Sequence, residues 1–149
     1  FGTALNRFLV QAVVDIPLTV YGTGGQTRGY LNINDTMECV KLSMLAPPDD
    51  PDLRIFNQFT ETFSINDLAG KVKDVGDSMG LKVKIKNYPN PRKEAEDHYY
   101  NPKHTGLLDL GLKPTLLTDD VISGMLKKII RYKDNVVSDR ILPRVKWNK

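Results

Sequence analysis

Leu5, Phe8, Leu9, Ala12 and Val13 recur at helical spacing, which predicts an amphipathic helix over about the first fourteen residues, closed by Pro17. The β-prone run Leu18-Thr19-Val20-Tyr21 predicts a short strand, and the glycines after it a tight turn. Residues 30–33 read as another short extended piece. Asn34 or Asp35 is expected to cap a helix that carries Met37, Val40 and Met44. Pro47-Pro48-Asp49-Asp50 reads as a surface turn, and residues 53–59 as a strand.

The pattern continues in the second half. Ser64-Ile65-Asn66-Asp67 joins an oxygen cap to an early acid, as helix starts do. Ile65, Leu68, Val72, Val75 and Met79 then form one stripe, with Gly80 as the stop. Leu81, Val83 and Ile85 alternate with Lys82, Lys84 and Lys86, the period of a strand with one wet face. Residues 87–103, with Pro89, Pro91 and Pro102, predict mainly an ordered loop. Residues 105–110 predict a short helix stopped by Gly111. Thr118 should cap a last helix with the stripe Ile122, Met125, Leu126, Ile129 and Ile130, and Trp147 in the tail is expected to pack.

Helices alternating with few, short strands place the chain in the α/β or α+β class, with a small sheet. Some strands are expected to belong to a sheet completed by sequence outside this chain. The 149 residues fit one domain, 1–149. The opening at Phe1 rather than Met predicts an internal position of a longer polypeptide. A net charge of +3 with interspersed acids and bases argues against a nucleic-acid partner. No apolar run reaches the ~20 residues of a membrane span. The single cysteine, Cys39, rules out an internal disulfide, suits a reducing compartment, and reads as a small core residue.

Candidate chemistry lies in two segments. Gly22, Gly24 and Gly25 form a turn that allows close backbone approach to a ligand, or simply a hairpin. The turn lacks both the dinucleotide spacing and the Gly-Lys-Ser/Thr of a phosphate loop. Arg28 follows it, and Arg92 lies in a proline-stiffened loop with Glu94 and Glu96. Two guanidinium forks from separate segments suit a diphosphate, while surface ion pairing is the plainer alternative for each. A carboxylate at Glu94, or else Glu96, could accept from ribose hydroxyls. His98, His104 and Cys39 make no metal-ligand spacing, so no metal site is expected. Tyr99 and Tyr100 suit either base stacking or packing under the loop.

Beyond such features, several runs resemble one family. They are Phe1-Gly2-Thr3-Ala4-Leu5-Asn6-Arg7-Phe8, Pro17-Leu18-Thr19-Val20-Tyr21-Gly22, Gly25-Gln26-Thr27-Arg28-Gly29-Tyr30, Phe56-Asn57-Gln58-Phe59-Thr60-Glu61, and Pro89-Asn90-Pro91-Arg92 with Glu94-Ala95-Glu96-Asp97-His98-Tyr99-Tyr100-Asn101. The chain resembles the C-terminal part of the UDP-sulfoquinovose synthases, NAD-dependent extended short-chain dehydrogenase/reductases akin to epimerases and dehydratases. The resemblance implies a UDP-sugar-binding domain whose Rossmann half, with the glycine fingerprint and the catalytic Thr, Tyr and Lys, precedes Phe1.

The same resemblance implies a parent enzyme that converts UDP-glucose and sulfite into UDP-sulfoquinovose on tightly bound NAD, in the cytoplasm or, in a plant, the chloroplast. It implies that Arg28 and Arg92 hold the diphosphate. Thr19, Val20 and Tyr21 would line the uridine site, partly through backbone, with Gln26 in support and Glu94 on the ribose. No catalytic residue and no cofactor are expected on this chain. The expected partners are the Rossmann domain and a possible second copy. The alternatives are the substrate domain of another nucleotide-sugar epimerase or dehydratase, and a stand-alone nucleotide- or protein-binding module.

Overall fold

The computed structural model describes residues 3–48, 54–90 and 103–142. In chain order they form α1 (Ala4–Val13), β1 (Leu18–Tyr21), β2 (Thr27–Tyr30), α2 (Ile33–Leu45), β3 (Glu61–Ser64), α3 (Ile65–Ser78), β4 (Ile85–Tyr88), α4 (Gly106–Asp109) and α5 (Asp119–Ile130). Single 3-10 turns follow at Lys133–Asn135 and Ser138–Arg140. The chain divides into two compact units. Residues 3–26, 64–90 and 118–142 form the first; residues 27–48, 54–63 and 103–117 form the second.

In the first unit β1 and β4 pair in parallel, Leu18 opposite Ile85 through Tyr21 opposite Tyr88. Helices α1, α3 and α5 pack on one another, and α1 and α3 also meet β1. Phe8, Leu9, Leu18, Val20, Leu68, Val72, Ile122 and Leu126 are fully buried between them. Each such side chain contributes about 1.5–3 kcal/mol of transfer free energy, which is what holds two short strands that could not persist alone. The helix starts are chemically marked. Thr3 Oγ1 accepts the Asn6 N–H for α1, and Thr118 Oγ1 accepts the Val121 N–H for α5. Ser64 and Asp67 close a reciprocal capping box for α3. Asp119 and Asp120 begin α5 while Lys127 and Lys128 end it, in accord with its dipole.

The second unit holds the β2–β3 pair and helices α2 and α4. Its core is Cys39, Leu107 and Leu112, ringed by Leu31, Leu42, Phe56 and Leu110. Two carboxylates hold the segment after α4. Asp35 accepts the Thr115 N–H at 2.6 Å and its hydroxyl at 2.9 Å, and Glu61 accepts the Leu117 N–H at 2.7 Å.

Several sequence-based expectations need correction. Asn32, not Asn34 or Asp35, caps α2, its side chain accepting the Asn34 N–H. Asp35 instead turns inward to Thr115. The face of α2 that packs is Asp35 and Cys39, so the Met37, Val40 and Met44 stripe points outward. Residues 54–59 are irregular, and the strand lies at Glu61–Ser64, because β2 offers only four residues to pair with. Likewise β4 begins at Ile85 rather than Leu81. Val83 is buried by other contacts, while Ile85 is 40% exposed, since the register is set by the four residues of β1.

Candidate functional site

In an open parallel pair, ligands sit off the carboxyl ends of the strands, where freed backbone groups and helix starts converge. In the first unit the carboxyl end of β1 opens into a turn held against the start of α3. From Tyr21 the chain enters the glycine turn, with Gly22 at φ +65 and Gly24 at φ +77. The turn is pinned on both sides. The Gly22 N–H donates to Tyr88 O at 2.8 Å, and Asn87 Nδ2 donates to Gly22 O at 3.1 Å. From the first turn of α3, the Asn66 N–H donates to Gly24 O at 3.0 Å and Asn66 Nδ2 to Thr23 O at 2.8 Å. A Cβ on Gly24 would lie 2.2 Å from Asn66 Oδ1, so this close approach requires glycine. Asn66 and Asn87 were not among the sequence candidates. The only signal for Asn66 was its place in the Ser-Ile-Asn-Asp cap, which reads as helix chemistry alone.

Thr19 and Val20 lie inside β1, 1% and 0% exposed. The Thr19 hydroxyl accepts from Gln11 Nε2 at 2.9 Å, and its N–H donates to Gln11 Oε1 at 3.1 Å. Its carbonyl accepts from Arg7 Nη2 at 3.0 Å. Both side chains therefore face the core, which leaves Tyr21 as the half-exposed member of the trio. The Arg7 guanidinium lies over the Tyr21 ring at 5.3 Å. Burial pulls the Arg7 pKa down, opposed in part by the Tyr21 phenol. Gln26 is half-buried, and its Oε1 is sealed from solvent without a hydrogen-bond partner among the described residues.

Arg28 belongs to the second unit, on β2. Its side chain is exposed, and Nη1 donates to Thr27 O at 2.9 Å. Burial pushes the Tyr30 phenol up, and Arg28 draws it partly back, so the two groups share one electrostatic neighbourhood. Gly29 between them has a steric reason: a Cβ there would fall 2.7 Å from the Phe59 ring. That ring in turn stacks on His104 with centroids 4.1 Å apart. The structure thus puts Thr19, Val20, Tyr21 and Gln26 in one unit and Arg28 in the other. Arg92, Glu94 and Glu96 lie outside the described residues, as do His98, Tyr99, Tyr100 and Trp147. No cluster of three His, Cys, Asp or Glu side chains suited to a metal occurs among the described residues. No helix among them is long and apolar enough to cross a membrane.

The chain is 55% identical, over all of its 149 residues, to a chloroplastic UDP-sulfoquinovose synthase of Spinacia oleracea, of which it covers 31%. It is 41% identical to a UDP-sulfoquinovose synthase of Sulfolobus acidocaldarius, again over the whole chain and 38% of the relative. The chain therefore spans about a third of the length of these curated relatives and matches their C-terminal portion. No family model matches. Among solved structures, a UDP-glucuronic acid 4-epimerase of Bacillus cereus, in complex with NAD and a fluorinated UDP-glucuronic acid, superposes with a TM-score of 0.68 at 19% identity, over 88% of this chain and 40% of the other. A UDP-glucose 4-epimerase of Thermotoga maritima bound to UDP-glucose gives 0.67 at 16% identity, over 90% and 40%. The fold is that of the C-terminal portion of such enzymes, helices with a small amount of short-stranded sheet.

Proposed function

We propose that this chain is the UDP-sugar-binding portion of a UDP-sulfoquinovose synthase, which makes UDP-sulfoquinovose from UDP-glucose and sulfite with bound NAD. The observation that carries the reading is the 55% identity to the spinach synthase along the entire chain. In this reading Arg28 and Arg92 grip the diphosphate, Tyr21 and the β1 backbone border the uridine, Gln26 supports them, and Glu94 takes the ribose. The buried Thr19 and Val20 side chains act through the strand they hold, not by contact. NAD binds the preceding Rossmann half. The parent works in the cytoplasm, or in the chloroplast of a plant, and can pair with a second copy.

An exposed face supports that preceding half as a partner. On α2, Ile33, Met37, Val40 and Met44 follow one another at helical spacing and stand outward, Met37 66% and Met44 76% exposed. An apolar stripe of this length on a helix marks a covered surface. The occupant proposed here is the N-terminal portion of the relatives, the part beyond the third that this chain matches.

Nuclear magnetic resonance titration with UDP tests the grip. UDP should shift the Arg28 and Arg92 side-chain signals before those of distant residues, and NAD should shift nothing. Signals moving only far from both arginines, or micromolar NAD binding by calorimetry, would overturn the reading.

A further inference from the structure

Arg7 carries a charge that no described residue of the first unit neutralises. It stands in the first turn of α1, a turn without an acidic residue, where the helix dipole disfavours a cation. It is half-buried. Its hydrogen bond goes to a neutral acceptor, Thr19 O, and its guanidinium lies over the Tyr21 ring at 5.3 Å and the Phe8 ring at 5.7 Å. Its Nε is sealed from solvent with no hydrogen-bond partner among the described residues. Ion pairs between described residues join Lys41 to Glu38 and Lys73 to Asp77, and none joins a described carboxylate to Arg7. Three costs therefore fall on one residue: desolvation, an unfavourable dipole and an unused donor. Met at this position would avoid all three. A cation kept under such conditions at the carboxyl end of β1 is what an anion-binding residue looks like before its anion arrives.

We infer that Arg7 binds an oxyanion, of the phosphate class, at the Tyr21 end of β1. Identifying that anion as a phosphate of UDP rests on the proposed function; the anion site itself does not. Arg7 would then be a further contact to the nucleotide, from the helix beneath the strand.

The test follows the Arg7 Nε–Hε resonance while inorganic pyrophosphate, UDP or uridine is added. Pyrophosphate and UDP should each shift it, and uridine should not. Arg7→Gln should weaken both anions by about tenfold, the worth of one charge-assisted hydrogen bond, while its thermal midpoint stays equal or rises. Arg7→Lys should keep most of the binding. If pyrophosphate shifts Arg7 and UDP does not, the anion site stands and the UDP reading falls. If neither anion shifts Arg7, the inference is overturned wherever else UDP binds. It is also overturned if Arg7→Gln lowers the midpoint with binding intact. A shift of the Arg7 signal without ligand in Glu94→Gln or Glu96→Gln would reveal an internal counter-charge and have the same result.

Discussion

Gln11 and Thr19 hold each other by two hydrogen bonds: the Gln11 amide nitrogen donates to the Thr19 hydroxyl at 2.9 Å, and the Thr19 N–H donates to the Gln11 oxygen at 3.1 Å. Gln11 also donates to Ile141 O at 3.2 Å, and neither side chain of the pair reaches solvent. One buried amide thus joins α1 to β1 and to the segment after α5. Gln11→Leu should cost about 2–4 kcal/mol, because it strands the Thr19 N–H and the Ile141 carbonyl away from water. Thr19→Val, which removes only the hydroxyl, should cost about 1 kcal/mol. Urea midpoints that rank these two variants the other way would show that the amide is not the joint.

Two glycines with similar backbone angles should respond differently to alanine. Gly24, at φ +77, would drive its new Cβ into Asn66 and Val20, whereas Gly80, at φ +84, has open space around it. Gly80→Ala should cost about 1 kcal/mol, the backbone penalty alone. Gly24→Ala should cost clearly more and should broaden or shift the Asn66 side-chain amide signal. Equal midpoints for the two variants would mean that Asn66 does not pin the turn.

Acid should weaken the start of α3. The Ser64 hydroxyl, then the Ser64 N–H, hold the Asp67 carboxylate below the ordinary aspartate value. A depressed folded pKa means that the ionised form is the stabilising one. Its contribution is complete above about pH 4 and is lost as pH falls through the folded value. Ser64→Ala should cost about 1 kcal/mol at neutral pH and flatten the acid limb of the stability curve. A variant whose loss is the same at pH 7 and at pH 2 would contradict this.

Cys39 should resist thiol reagents in the folded chain. It is fully buried, and burial first, then Asp35, push its thiol up. Labelling should therefore follow unfolding of the second unit and accelerate with urea. Immediate labelling in native buffer would mean that this core opens freely.

Local chemistry was legible without coordinates. The caps at Ser64 and Thr118, the stop at Gly80 and the strand Leu18–Tyr21 are all written in adjacent residues. Such features depend on contacts three or four residues apart, so spacing alone suffices to read them. Family resemblance was legible for the same reason, as short runs of residue identity.

Elsewhere the outcome rested on partners distant in the chain. Residues 54–59 and 81–84 had the composition of strands, yet strand formation went to 61–64 and 85–88, where β2 and β1 offered backbone to pair with. The α2 stripe looked like a core face, but Asp35 found Thr115, a residue 80 positions away, and turned the helix so that Cys39 faced inward. Nothing in the neighbouring sequence singled out Arg7. Only the fold brought it under Tyr21 with no described acid beside it, because burial and charge compensation belong to the packed molecule rather than to any local stretch of chain.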